Sequence, residues 1–225
     1  DGFRYYVLSD TQYGNDGDFT YEGLVARYNN DLANNLGNLC SRVTTVVQKK
    51  CDGVSAAPRA DSPLREHAEN AVRDTIEGWN SFQPGKALDA TWSLIRATNA
   101  FLENHEPWKA EPSAELNAIM GDALEALRIV AVLCVPAIPT TAQMVWERIG
   151  LTGDVSNERI PTSVSWGLYP AALTVEKGEP LFPRKAKKRH SPCGPILIAI
   201  SPMHACPVEP TKQFALLLLV VSPPW

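Results

Sequence analysis

Apolar side chains recur every three or four positions along most of the chain as far as Ile149, the spacing of one face of an α-helix. From Thr20 to Lys50, Leu24, Tyr28, Leu32, Leu36, Leu39, Val43 and Val47 keep that spacing and predict one long helix. Thr20 suits its N-cap, and Cys51-Asp52-Gly53 supplies a glycine stop. Pro63 opens a second helix, with Leu64, Ala68, Val72, Ile76 and Trp79 expected inward. Gln83-Pro84-Gly85 separates it from a third, whose stripe is Leu88, Thr91, Ile95, Thr98 and Leu102 and whose pattern stops at Asn104. Pro112-Ser113 starts a fourth, running through Leu116, Ile119, Met120, Ala123, Leu127 and Val130 to Val135, where Pro136 ends it. Thr140 with Gln143 three residues on has the form of a capping box and predicts a short fifth helix to Ile149-Gly150.

Between these segments the pattern lapses. DGFRYYVLSD at the start predicts a short helix capped by Asp1, with Phe3, Tyr6 and Val7 on one side, and QYGNDGD after it is a turn-rich connector. GVSAAPRADSP, from Gly53, has the composition of a disordered link. No strand-period segment of useful length occurs before position 190. The fold class expected is all-α: an antiparallel helix bundle with short connections, a short N-terminal connector and an irregular C-terminal tail.

Composition narrows the class without naming a function. With 225 residues, 44% apolar and 20% charged, the chain can bury a substantial core. The longest apolar run, Phe214 to Val221, falls far short of the ~20 residues of a membrane helix. The first residues lack the apolar core of a signal peptide, so a soluble, cytoplasmic protein without membrane contact is expected. Five cysteines include no C-x-x-C, and Cys40 and Cys134 fall within helical patterns as buried reduced thiols do. The net charge of −4 hides an asymmetry: residues 1–183 carry 15 basic and 24 acidic groups, the remaining 42 carry six and one. That balance argues against coating a nucleic acid nonspecifically, which needs a basic face. It leaves room for reading a few exposed bases at one place.

FLENHEPWKAEP, residues 101–112, is the segment where chemistry enters. It sets the indole of Trp108 on a proline corner after Pro107, among charged neighbours, where a flat aromatic can serve as a surface for stacking. On the long helix, Asn38 and Arg42 lie roughly 90–130° from the apolar face and one turn from each other, with Thr45 and Lys49 on the same polar stripe. An amide and a guanidinium side by side can donate to and accept from the edge of an unpaired base. Read from pattern alone, a solvated helix flank is the favoured account of Asn38 and Arg42, and a core filler or staple that of Trp108.

Taken together, DGFRYYVLSD, NDGDFTYEGLVARYNNDLANNLGNLCSRV, ATNAFLENHEPWK and LRIVAVLCVPAIPTTAQMVWERIGL resemble the C-terminal part of methionyl-tRNA synthetase, a class I aminoacyl-tRNA synthetase. The resemblance runs from residue 1 to about 184, ending at VEKGEPLFPR, with four blocks in the family's order. It implies a connector remnant from the catalytic half at 1–19, a helical anticodon-binding domain at 20–184, and a Pro-rich tail at 185–225 outside the family pattern. The partners it implies are the anticodon loop of tRNA(Met) and the missing catalytic domain. In that family an Asn and an Arg four apart on the first long helix, and a Trp after a Pro, read the CAU anticodon. These positions match Asn38, Arg42, Trp108 and Pro107. The family's ATP-binding His-Ile-Gly-His-type signature, its Lys-Met-Ser-Lys-Ser loop and its zinc-binding insertion have no counterpart here, as though the sequence upstream were missing. The chain alone is therefore expected to hold no cofactor and to activate no methionine, with ATP and any zinc belonging to the catalytic half.

The tail has seven prolines and no sustained period. His190-x-x-Cys193 and His204-x-Cys206 fit no standard zinc finger, and the basic run from Arg184 to Arg189 could meet tRNA phosphates. A non-native, poorly ordered tail is the reading adopted. Two alternatives stay open: the anticodon-binding bundle of another class I synthetase, and a helical protein-interaction scaffold with no RNA role.

Overall fold

In the computed structural model, residues 1–10 and 19–185 are described. Every regular element among them is helical except one isolated antiparallel bridge, Val54 to Thr174. The expected all-α bundle is what forms. The connector from Thr11 to Asp18 lies outside the described residues. So do residues 186–225, with the expectations made for His190, Cys193, His204, Cys206 and most of the basic run.

The first helix, α1 (Gly2–Asp10), buries Tyr5 and Tyr6, while Phe3 and Val7 are exposed. The expected face is thus turned by about one residue. Tyr5 makes the difference: its ring lies 4.5 Å from Trp92, and its hydroxyl donates to Asp31 at 3.0 Å. Asp1 accepts from Tyr5 N through its carbonyl, but its carboxylate caps a different helix, accepting from Thr141 N at 2.7 Å and Thr141 Oγ1 at 2.8 Å.

The long helix is continuous but not uniform. Thr20 caps α2 (Tyr21–Arg27) by accepting from Gly23 N. A π-helical segment (Tyr28–Gly37) follows, then α3 (Asn38–Lys50). The Asn-rich segment YNNDLANNLG is a poor α-helix former. Its leucine spacing fits the wider turn as well as the α turn, so the sequence pattern carries no sign of it. Leu32, Leu36, Leu39, Val43 and Val47 are buried as expected.

Helices α4 (Leu64–Asn80) and α5 (Pro84–His105) form a tight antiparallel hairpin. On α4 the buried set is Leu64, Ala68, Ala71, Thr75 and Gly78, whereas Val72, Ile76 and Trp79 are only half-buried. The apolar stripe misplaced the contact because this seam is built from small residues. A Cβ on Gly78 would lie 2.6 Å from the backbone nitrogen of Ala87, so the helices can approach this closely only at glycine. Thr75 and Thr91 share a buried hydrogen bond of 3.1 Å across the seam. On α5 the expected stripe of Leu88, Thr91, Ile95, Thr98 and Leu102 is buried throughout.

Ser113 caps α6 (Ala114–Cys134), accepting from Leu116 N at 3.1 Å. From Ile119 to Cys134 every residue of this helix is buried, so it is the axis of the core rather than a one-faced helix. α7 (Pro139–Arg148) follows Pro136, but the capping box does not form. Gln143 instead reaches forward, its Oε1 accepting from Val155 N at 2.9 Å. The helix already begins at Pro139 with Ile138 at its N-cap, so Thr140 lies inside it and the glutamine is free to hold the next turn.

GVSAAPRADSP is ordered, against the expectation of a disordered link. Its Ala56 and Ala57 carbonyls lie where a Cβ on Gly121 would sit, 2.8 and 2.6 Å away. Its Arg59 binds the fully buried Asp122 three ways: backbone N to Oδ1 at 2.7 Å, Nε to Oδ2 at 2.9 Å and Nη2 to Oδ2 at 2.6 Å. A turn further along α6, Arg128 and Glu125 form a buried two-pronged pair at 2.6 and 2.9 Å. Arg128 also donates to the carbonyls of Ser163 and Ser165, and Glu125 accepts from Gly167 N and Leu168 N. Charge at the axis of the core therefore fastens two irregular segments onto α6. Cys40, Cys51 and Cys134 are buried free thiols, and among the described residues no helix is long and apolar enough to cross a membrane.

Candidate functional site

The corner carrying Trp108 is made by backbone geometry. α5 ends as Glu106 adopts a left-handed conformation (φ 44°), its N–H closing on Leu102 O at 2.9 Å. Lys109 N then bonds Glu106 O at 2.8 Å, completing a turn whose second residue is Pro107, the position that a fixed φ suits. Pro107 is buried and anchors the turn, whereas Trp108 is half-buried, part of its ring packed on the core.

Arg42 comes to this indole from α3. Its guanidinium carbon lies 4.5 Å from the centre of the Trp108 ring, a cation–π contact. Two side chains of α5 hold it there: Glu103 accepts from Nη2 at 2.7 Å, and Asn99 accepts from Nη1 at 3.4 Å. Asn99 in turn donates to Ile95 O at 3.2 Å. Asn38 is exposed at the start of α3, one turn from Arg42, roughly 6 Å along the axis. The structure thus brings Arg42 and Trp108 into contact from separate segments, with Asn38 a turn away on an open surface.

Two members of this arrangement had no signal in the sequence. Glu103 and Asn99 lie four apart on α5, on the flank beside its apolar stripe, and only the packing of α3 against α5 makes them partners of Arg42. Lys50, in the last turn of α3, donates to Ala110 O at 2.5 Å and ties the segment after Trp108 back to the helix that carries Arg42.

The surface offers planar stacking and directional hydrogen bonding. Among the described residues no group of three His, Cys, Asp or Glu side chains could hold a metal ion. Burial displaces the titrations of core groups: the thiol of Cys40 is pushed up to about 11 and the phenol of Tyr169 to about 12, and the phenol of Tyr5, which also faces Asp31, is raised further still. Burial likewise pushes the Cys134 thiol upward. None of them touches Arg42 or Trp108 in any described contact.

Comparison with known proteins agrees with the fold. The family model described as tRNA synthetases class I (M) matches residues 1–44. The methionine–tRNA ligase of Streptomyces coelicolor is 35% identical over 203 residues, covering 84% of this chain and 38% of that protein. The methionine–tRNA ligase of Bacillus subtilis is 36% identical over 193 residues, covering 82% of this chain and 29% of that protein. Among solved structures, the free-state methionyl-tRNA synthetase of Mycobacterium tuberculosis superposes with a TM-score of 0.73 at 27% identity, over 83% of this chain and 39% of that one. The same enzyme in complex with methionyl-adenylate gives 0.69. The chain therefore spans well under half the length of these relatives.

Proposed function

The matched part of this chain belongs to the methionyl-tRNA synthetase family, and from that premise we propose that its bundle binds the anticodon loop of tRNA(Met). The first anticodon base stacks on Trp108, and Asn38 and Arg42 bond its edge. Pro107 holds the indole at the corner. The observation that carries this reading is the meeting of Arg42 with a half-exposed indole, 4.5 Å from guanidinium carbon to ring centre, beside the exposed Asn38.

Energetics favour an exchange at the ring. Stacking a base on an aromatic side chain is worth about 1–3 kcal/mol. The half-buried cation–π contact that it replaces is worth about 0.5–2 kcal/mol. The bridge to Glu103, whose side chain is 62% exposed, adds little, since exposed pairs contribute about 0–1 kcal/mol. A splayed cytosine displaces the guanidinium from the ring face, and Arg42 then turns its donors to the base edge, where stacking alone cannot discriminate. On this reading, residues 20–184 are the tRNA-reading unit and 1–19 lead to the catalytic half. Methionine activation with ATP belongs to a longer, cytoplasmic protein.

Filter binding tests the reading. A stem-loop with a CAU anticodon should bind more tightly than the same loop with its first base changed to uridine. Trp108→Ala should weaken the CAU complex roughly five- to hundredfold and erase the difference between loops. Equal binding of both loops by the native chain would leave a protein-interaction scaffold as the better account.

A further inference from the structure

We propose that Lys50 is a positioning residue for Trp108, and hence for base selection at the site described above, on whose reading this inference rests. The segment from Glu106 to Ser113 carries the indole between two helices. Upstream of Trp108 it is fixed by the left-handed Glu106, the turn bond from Lys109 N and the burial of Pro107. Downstream, Lys109, Glu111 and Pro112 are exposed, and α6 begins only at the Ser113 cap. Between Trp108 and that cap, Ala110 packs on the core, and among the described contacts the Lys50 ammonium on its carbonyl reaches back to α3.

The choice of partner matters because of what else α3 carries. Arg42 is eight residues from Lys50 on the same helix and Asn38 twelve, roughly 12 and 18 Å along a rigid axis. The base-edge groups and the clamp on the stacking surface are therefore one body. Recognition of an unpaired base depends on the distance between the plane that stacks it and the groups that bond its edge, and a misplacement of about 1 Å can cost about a hundredfold in an orientation-dependent step. Lys50 is half-buried, and its ammonium meets a neutral carbonyl, a charge-assisted bond. The α3 C-terminus, where Lys50 sits, also favours a cation by its helix dipole. Arg42 is held by α5, and the α5–α6 corner is held by α3: each element fixes the other's functional side chain.

The test compares the full chain with Lys50→Met, which keeps the apolar stem, and Lys50→Arg, which keeps a donor. Binding of the CAU stem-loop and of its first-base uridine variant is measured for each, along with the melting temperature. The indole N–H resonance of Trp108, assigned by its loss in Trp108→Phe, reports the ring directly. In Lys50→Met the preference for CAU should fall by about tenfold, the indole resonance should shift, and melting should hold; Lys50→Arg should restore both. Equal weakening of the two loops would overturn the inference, because it marks a phosphate contact rather than positioning. An unmoved indole resonance with the preference intact would overturn it as well. If the native chain itself shows no preference, base reading falls, while the indole shift still decides whether Lys50 positions the ring.

Discussion

Replacing Arg128 with methionine is the most searching perturbation of this fold. Its side chain is 4% exposed and that of Glu125 is fully buried, so the pair lies beyond the reach of solvent. The substitution removes both bonds to Glu125 and leaves the carbonyls of Ser163 and Ser165 without their donor. Breaking a buried ion pair from one side costs about 3–5 kcal/mol. Here Glu125 keeps two backbone donors, Gly167 N at 2.7 Å and Leu168 N at 3.1 Å, which lessens the penalty for its stranded charge. The lower end, about 3 kcal/mol, is therefore expected. For a folded unit of this size that corresponds to a melting temperature lower by roughly 6–12 °C. Urea unfolding followed by far-ultraviolet circular dichroism and by tryptophan fluorescence measures it, with coincident curves confirming a two-state transition. Pairing the change with Glu125→Leu should not restore stability, because four backbone groups of the 163–168 segment then lose their partners. A loss below about 1 kcal/mol for Arg128→Met would refute the claim that this pair fastens the segment to α6.

Two further outcomes are expected from the packing and from buried titratable groups. Gly78→Ala should destabilise in urea, since overpacking of about 1–3 kcal/mol against the Ala87 backbone exceeds a helix-propensity gain of up to about 1 kcal/mol; unchanged stability would mean that α4 and α5 separate easily. Stability should fall as pH rises from about 9 through about 12, measured as the urea midpoint. The unfolded chain releases protons first, because burial lifts the thiol of Cys40 to about 11 and the phenol of Tyr169 to about 12, against about 9 and 10 when unfolded. Tyr169→Phe should reduce the part of that fall above pH 10 without abolishing it, because the Tyr5 phenol and the Cys134 thiol are raised by burial as well; stability that rose with pH in this range would contradict the burial of these groups.

Much of the bundle was legible because its signals are local. The stripe on α5, the caps at Thr20 and Ser113, and the breaks at Pro84 and Pro136 each need only neighbouring residues. The misses share a different cause. Asp122, Glu125 and Arg128 are charged yet buried because partners from positions 59 and 163–168 come to them, which no local pattern shows. The α4 seam was misplaced because close approach rewards Gly78 and Thr75, which an apolar stripe ignores. Gln143 fitted a capping box by spacing, but α7 starts at Pro139, so Thr140 lies within the helix rather than at its cap. At the candidate site, Asn38, Arg42 and Trp108 could be singled out by residue type and resemblance. Glu103, Asn99 and Lys50 could not, because their roles depend on how α3 lies against α5 and the corner after it.

The central claim is that a cytosine from the anticodon stacks on the indole of Trp108. A stem-loop carrying a fluorescent cytosine analogue at the first anticodon position measures this directly, since emission falls when the analogue stacks on an aromatic ring. Titration with the native chain is expected to quench it, and titration with Trp108→Ala to leave it bright at concentrations that still bind the loop. Equal quenching by both proteins, or none by either at saturation, would contradict the account.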